Sequence, residues 1–576
     1  MLTIYGAAPE NYKLLWGDRA RMNRDTVAAL TKSISLVSGR NDTASFQLVI
    51  TADEPFALNL SNQPWFSQNV RRKNLRVAVE MPFECKLNHL GMHICDDSFY
   101  RADSLLEDSV VEVDADGILS VFAEMKIPAD AKNGKYAGKL KIYENYGFSR
   151  ETLVGEIAVE LEVFSHVFQD NKDINFHLDL WQHPSNLARQ HKVPLWSDEH
   201  FDIIRKYSET LGELGVKSVS VIASEIPWNG QACQNEQRFA ANLFEYSMIS
   251  VTRDEAGSLS FDFSVMQRYI DLLAECGVDE CISVFGLVNV WDTKEYGGLR
   301  TAPDYPDGVH IRVYDAANGV YDYLRTAKEV DEYIRALEKY FIDTKQIDKV
   351  RIAADEPANV EAYRESLNHI KSVAPAFKYK TAINHAEFVE EFGDDIYDFA
   401  PYISPMYSEY DALMNYKKAS PEKRFIYYVC CAPEIPNTFL RSELVDGYYI
   451  GILARYAKMD GFLRWSYTCW TENPNRDDRY GPFPAGDLGL VYPNPNGSPL
   501  LTLRWKALFR GVRFYSLLEE AEKQNKTDAI EEFYSLVLRE REIAKLYCNW
   551  ERDKVMSLDY NDYRDAEAIL LRALED

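Results

Sequence analysis

Two carboxylates, Asp355 and Glu356, stand side by side in "RIAADEP" (351–357), at the end of an apolar stretch and directly before Pro357. Acidic pairs usually belong to solvated surface. At the tip of a buried strand, such a pair offers a general acid, a general base or an electrostatic stabiliser. Paired carboxylates suggest hydrolysis of a glycosidic bond. The usual schemes place the two groups across that bond, about 5–5.5 Å apart for retention and about 6.5–9.5 Å for inversion. Neighbours on one strand end sit on the same side of the sugar instead, which suits substrate-assisted catalysis. There the 2-acetamido oxygen of the substrate attacks the anomeric carbon, one carboxylate holds the acetamide and the other protonates the leaving oxygen. Successive strand residues face opposite ways, so both acids reach one pocket only where the strand loses its regularity. Pro357 favours that, because it restricts the residue before it and cannot extend a ladder.

The elements that must carry the pair alternate strand and helix from about residue 173. Strand candidates are 174–181, 216–224, 280–288, 349–355, 378–384, 402–406, 424–431 and 461–470, with helical patterns between most of them. Pro401 and Pro405 make the sixth the least regular. Eight such units predict a closed (β/α)8 barrel of the TIM type, whose active sites lie at the C-terminal ends of the strands. An open doubly wound sheet is the alternative, but no glycine-rich fingerprint follows the first strand. The other strand ends carry Asp179, Trp181 and His183; Glu225 and Trp228; Asn289 and Trp291; Asn384 and His385; and Trp465, Tyr467 and Trp470. Carboxylate, amide and indole groups converging on one rim are what a sugar pocket needs. Asp179, Trp181, His183, Trp228, Asn384, Trp465, Tyr467 and Trp470 are therefore the candidate substrate-binding residues, although rims also turn polar simply by meeting water. His177, Asp179 and His183 alternate like a metal triad, but a strand tip inside a barrel needs polar groups anyway, and no metal is expected. The 289–325 connection is long enough to be functional.

Residues 1–172 are β-rich. Segments such as "TASFQLVI" (43–50) and "GEIAVELEVF" (155–164), separated by turns such as "NGKYAG", predict an N-terminal β-sandwich. The domains expected are thus a sandwich over 1–172, a catalytic barrel over 173–515 and a helical extension over 516–576. "NHLGMHICDD" (88–97) holds zinc-type ligands, yet a solvated loop is the expectation there. Cys430 and Cys431 are adjacent within a strand pattern, and packing is their expected role. A net charge of −26 without an acidic tail argues against nucleic acid and anionic membrane as partners. Aromatic content of 13% leaves rings to spare for sugars, but large cores also consume them. Nine cysteines without zinc spacing, and no leader or membrane-length apolar run, suggest a cytoplasmic protein. A secreted or periplasmic protein shorn of its signal peptide would read the same.

The blocks "HLDLWQHPSNLARQHKVPLWSDEHF" (177–201), "IPWNGQ" (226–231), "DEP" (355–357), "YYVCCAPEIPNTFL" (427–440) and "DGFLRWSYTCW" (460–470) resemble the catalytic domain of glycoside hydrolase family 123 over roughly 173–515. "ASFQLVI" and "IPADAKNGKYAG" are similar to that family's N-terminal sandwich. The resemblance implies a retaining β-N-acetylgalactosaminidase working through an oxazoline-type intermediate, with an oligosaccharide or glycoconjugate as substrate and no metal or organic cofactor. It assigns Asp355 to orienting the acetamido group and Glu356 to general acid and then base. A proton donor beside a second carboxylate is expected to have its pKa raised by like-charge repulsion. Two alternatives remain: a glycosidase of the same fold with a remote nucleophile such as Glu225, and a sugar-binding protein without catalysis.

Overall fold

The computed structural model describes residues 3–16, 20–64, 72–147, 149–227, 244–289, 300–357, 359–383, 387–481, 483–547 and 551–575. Its N-terminal part is built from two six-stranded sheets. One runs Thr3–Pro9, Asp42–Ala52, Ile118–Ile127, Cys85–Ile94, Tyr100–Leu106, Leu15–Trp16 and is antiparallel throughout. The other runs Ser33–Arg40, Thr152–Val167, Gly134–Tyr146, Lys73–Glu80, Phe56–Leu60, Val110–Val113. Alternation puts Phe46, Leu48 and Val121 of the first sheet into one apolar core with Leu75, Leu140 and Val159 of the second. The stretch 88–97 differs from expectation. Most of it is strand, Cys85–Ile94, with His89 and His93 buried. A hydrogen bond to Ser104 Oγ (2.8 Å) and stacking on Tyr492 at 4.0 Å pair the His93 ring and make its burial affordable.

The second half is an eight-stranded parallel sheet in the order His177–Leu180, Gly461–Arg464, Arg424–Val429, Ile396–Pro401, Lys378–Ile383, Val350–Asp355, Cys281–Phe285, Ser218–Ile222. It is nearly closed: Leu178 bridges Val216, and the Lys217 N–H donates to the Leu178 carbonyl at 2.9 Å. Helices return the chain between strands, and their starts are written in the sequence. Ser197 caps Asp198–Leu214, a Thr326–Glu329 capping box opens Ala327–Asp343, and Asn359 caps Val360–Val373 right after the acidic pair. The sixth strand lies at Ile396–Pro401 instead of 402–406, which falls mostly in the helix Ile403–Ser408. Pro405 sits in that helix's first turn, where its missing N–H costs nothing.

Residue 515 falls inside a single helix, Leu503–Lys523, that packs against Val445–Tyr456. The two cross closely because glycines meet there: a Cβ on Gly451 would stand 1.9 Å from the Gly511 carbonyl oxygen. The same helix ties the two halves of the chain together. Arg504 donates to Asp103 Oδ2 (2.8 Å) and to the carbonyls of Thr438, Gly486 and Gly489. Arg510 donates to Asp42 Oδ2 at 2.9 Å.

Candidate active site

Val350–Asp355 is buried up to Ala354, and its ladder to Lys378–Ile383 ends at Asp355. The next residue breaks the alternation. Glu356 takes φ +39°, a left-handed conformation that costs a non-glycine residue about 1–3 kcal/mol. Its N–H still donates to the Ala382 carbonyl at 3.1 Å. The side chain of Asn289, itself at φ +53°, donates to the Asp355 carbonyl, while the Asn289 N–H donates to Asp307 Oδ2 at 2.6 Å. The turn is thus held from both sides. Its result is that Asp355 and Glu356 line the same cleft, with about 430 Å³ of space including the open mouth.

Two neighbouring elements complete the walls. Tyr428, near the end of Arg424–Val429, donates its phenolic O–H to Glu356 Oε1 at 2.5 Å. Burial and then the Glu356 charge push the Tyr428 phenol well above its ordinary pKa, so it remains a donor. Trp181, Trp465 and Phe483 supply apolar faces, and Cys430 and Cys431 border the carboxylates. Trp465 is held by an Nε1–H bond to Asp487 Oδ1 at 3.4 Å and packs on Phe483 at 5.6 Å between ring centres. Asp487 also binds the buried Arg464 guanidinium. Burial, with the Glu356 charge adding to it, holds the Asp355 carboxyl well above the usual carboxylate range. A carboxyl held up in this way favours its protonated form.

The other sequence candidates separate clearly. Asp179 is fully buried in the barrel interior, ion-paired with Lys380, whose Nζ also reaches Ser283 Oγ at 3.2 Å. His183 is buried at the start of helix Pro184–His191, edge-on to Trp465 at 6.3 Å, and burial pushes its pKa down to about 3. Tyr467 shares a hydrogen bond with Thr210 Oγ1 (2.7 Å), and Trp470 donates to the Val491 carbonyl (2.8 Å), both away from the cleft lining. Glu225 is buried, bound by Arg312 at 2.5 Å and by the Tyr323 hydroxyl at 2.8 Å. His177 faces Glu280 at 3.1 Å, and among the described residues no cluster of three or more ligating side chains fits a metal ion. Trp228, Trp291, Asn384 and His385 lie outside the described residues. Asn437 donates its side-chain amide to the carbonyls of Cys430 (3.1 Å) and Pro433 (2.7 Å).

Sequence reasoning passed over Tyr428 and Phe483. Tyr428 had a usable signal, a strand-end position on the rim. Phe483 had none, since it follows the last barrel strand in an irregular segment. Cys430 packs against the barrel core as expected, whereas Cys431 departs from that expectation. Their strand stops at Val429, so both come free of the ladder at the cleft, and Cys431 is exposed.

The model of the glycoside hydrolase 123 catalytic domain matches residues 181–521, more than half of the chain. The chain belongs to glycoside hydrolase family 123. A solved family 123 glycoside hydrolase from Clostridium perfringens, a study of glycolipid glycan hydrolysis, is similar along the whole length. It has 16% identity, 100% of this chain and 98% of that chain covered, and a TM-score of 0.75. A β-D-glucuronidase from Dictyoglomus thermophilum (11% identity, 88% of this chain and 68% of that chain, TM-score 0.31) and a family 2 β-glucuronidase (10%, 88% and 41%, TM-score 0.27) superpose only weakly. No curated protein sequence matches. As a family 123 member the protein is a glycosidase acting on glycans, and no helix among its described residues is long and apolar enough to cross a membrane.

Proposed function

We propose that this family 123 enzyme removes a terminal β-linked N-acetylhexosamine, N-acetylgalactosamine above all, with retention and with the substrate's own acetamide as nucleophile. The observation that carries this reading is the lining of one cleft by two carboxylates adjacent in the chain, Asp355 and Glu356. In the free cleft, burial favours a proton on Asp355. An acetamide N–H donating to Asp355 favours its anion and leaves the pair's proton for Glu356. The acetamide oxygen then bonds to the anomeric carbon, the glycosidic C–O bond breaks, and the Glu356 proton goes to the leaving oxygen. Asp355 stabilises the charge on the oxazoline-type ring. Water, deprotonated by Glu356, attacks the same carbon from the vacated face, and the ring opens with retention. Trp465 and Trp181 offer apolar faces to the sugar ring. The glycan of a glycolipid, hydrolysed by the Clostridium perfringens relative, is a fitting source of the terminal sugar.

Glu225 as a remote nucleophile fits less well, since Arg312 and Tyr323 hold both its oxygens outside the cleft lining. A pure sugar binder would gain nothing from a proton donor set beside a second carboxylate.

Release of p-nitrophenol from the β-N-acetylgalactosaminide, the β-N-acetylglucosaminide and the plain β-galactoside tests the mechanism. Turnover confined to the acetamido substrates, and lost in Asp355→Asn, is the expected outcome. Hydrolysis of the β-galactoside by the wild type would sink it.

A further inference from the structure

Cys430 and Cys431 have no part in that chemistry, yet both border the cleft beside the two carboxylates. The strand Arg424–Val429 brings Tyr428 to Glu356 and ends, and the two cysteines follow at once. Their backbone is fixed: the Cys430 N–H donates to the Ala432 carbonyl (3.0 Å), and the Cys430 carbonyl accepts from Asn437 Nδ2 (3.1 Å). Both thiols are free. Among the described cysteines Cys95, Cys281 and Cys469 are buried, Cys85, Cys276 and Cys430 are half-buried, and Cys431 is the exposed one.

We propose that Cys431 is a thiol-modification site inside the catalytic cleft, that it takes low-molecular-weight disulfides, and that its occupation shuts out the sugar. A group joined to Cys431 has to lie in the space that Asp355, Glu356 and Trp465 also line, and this small cleft has no room for it and a hexosamine together. Reactivity needs the thiolate and access. The wall supplies access, and the Cys430 thiol, as hydrogen-bond partner, draws the Cys431 thiol below its ordinary pKa against the opposing effect of burial. In the exchange the Cys431 sulfur attacks one sulfur of the disulfide, a new S–S bond forms and the old one breaks. The departing thiolate takes up the proton that Cys431 released, and an excess of small thiol reverses the step.

The test treats the full chain with oxidised glutathione, maps the modified peptide by mass, and follows turnover before and after dithiothreitol. One glutathionyl adduct at Cys431 is expected, with turnover falling in step with labelling to below about a tenth and returning on reduction. Cys431→Ser, compared with its own untreated activity, is expected to resist. Labelling that goes first to Cys233 or Cys548, or complete labelling of Cys431 with turnover intact, would overturn the proposal. So would a Cys431→Ser enzyme as sensitive as the wild type. The adduct is read by mass and the block on whichever glycoside the enzyme hydrolyses, so failure of the acetamide mechanism leaves the result readable.

Discussion

The phenolic O–H of Tyr428 meets Glu356 Oε1 at 2.5 Å, so the strand Arg424–Val429 positions a carboxylate that follows Val350–Asp355, three places away round the barrel. Tyr428 packs against Tyr402 at 5.2 Å between ring centres, and a phenylalanine keeps that packing while losing the bond. A hydrogen bond to a charged group contributes about 1.5–3 kcal/mol, which corresponds to roughly 10–100-fold in rate. Tyr428→Phe is expected to lower kcat by that factor with KM nearly unchanged and thermal stability kept. Steady-state kinetics decide it. An unaltered kcat would mean that the bond serves only the fold.

If Glu356 protonates the leaving oxygen, as proposed, the damage of Glu356→Gln depends on the leaving group. General acid catalysis contributes about 10²–10⁴-fold where the leaving alcohol is poor. The variant is expected to lose that much on a disaccharide and far less on a dinitrophenyl glycoside, whose phenolate leaves unaided. Asp355→Asn is expected to lose activity on both, because in the proposed mechanism the acetamide must be oriented whatever departs. Equal losses for both substrates in Glu356→Gln would remove it from the acid role.

The acidic pair was legible because two carboxylates before a proline at a strand end have few bland explanations, and the left-handed turn at Glu356 supplies the irregularity that Pro357 implied. The barrel was legible from its strand–helix alternation, the sixth strand excepted. Asp398 sits in the middle of that strand and reads as loop, whereas the fold neutralises it with Arg351 at 2.9 Å and Arg424 at 3.5 Å. His89 and His93 misled in the same way, since a partner such as Ser104 is invisible in a linear pattern. Trp465 and Trp470 are alike in type and five positions apart, and only the three-dimensional packing sends one to the cleft and the other to the Val491 carbonyl. Tyr428 showed its strand-end position in the sequence, but the contact that gives it meaning lies 72 positions away.

Arg504 gives the N-terminal sheets a measurable role. Its guanidinium, almost wholly buried, pairs with Asp103 of the first sheet and holds the carbonyls of Gly486 and Gly489, on either side of the Asp487 that anchors Trp465. Breaking one side of a buried ion pair leaves the other charge uncompensated, at about 3–5 kcal/mol. Arg504→Met is expected to destabilise the chain by that order in urea unfolding and to raise KM through a misplaced Trp465. Asp103→Asn with Arg504→Met together is expected to recover part of the stability. A double variant no more stable than the single one would show that the carbonyl bonds, not the ion pair, dominate.

Asp478 lies beside the same arginine, buried, with Oδ2 accepting from the Gly486 N–H at 3.2 Å. Burial raises its carboxyl to about 7, against the lowering effect of Arg504. A carboxyl raised in the folded state binds its proton more tightly there than in the unfolded chain, whose Asp titrates near 3.9. Between those two values the folded state holds more protons, so stability falls as pH rises, and the cost is complete above about 7. Asp478→Asn keeps an acceptor for Gly486 and cannot ionise. Its stability relative to the wild type is therefore expected to rise from pH 5 to pH 8, by on the order of 2–3 kcal/mol at about 1.4 kcal/mol per pH unit. Urea unfolding of both proteins at the two pH values measures this difference. A constant difference would mean that Arg504 keeps Asp478 ionised throughout, and a difference that shrinks toward pH 8 would reverse the sign of the argument.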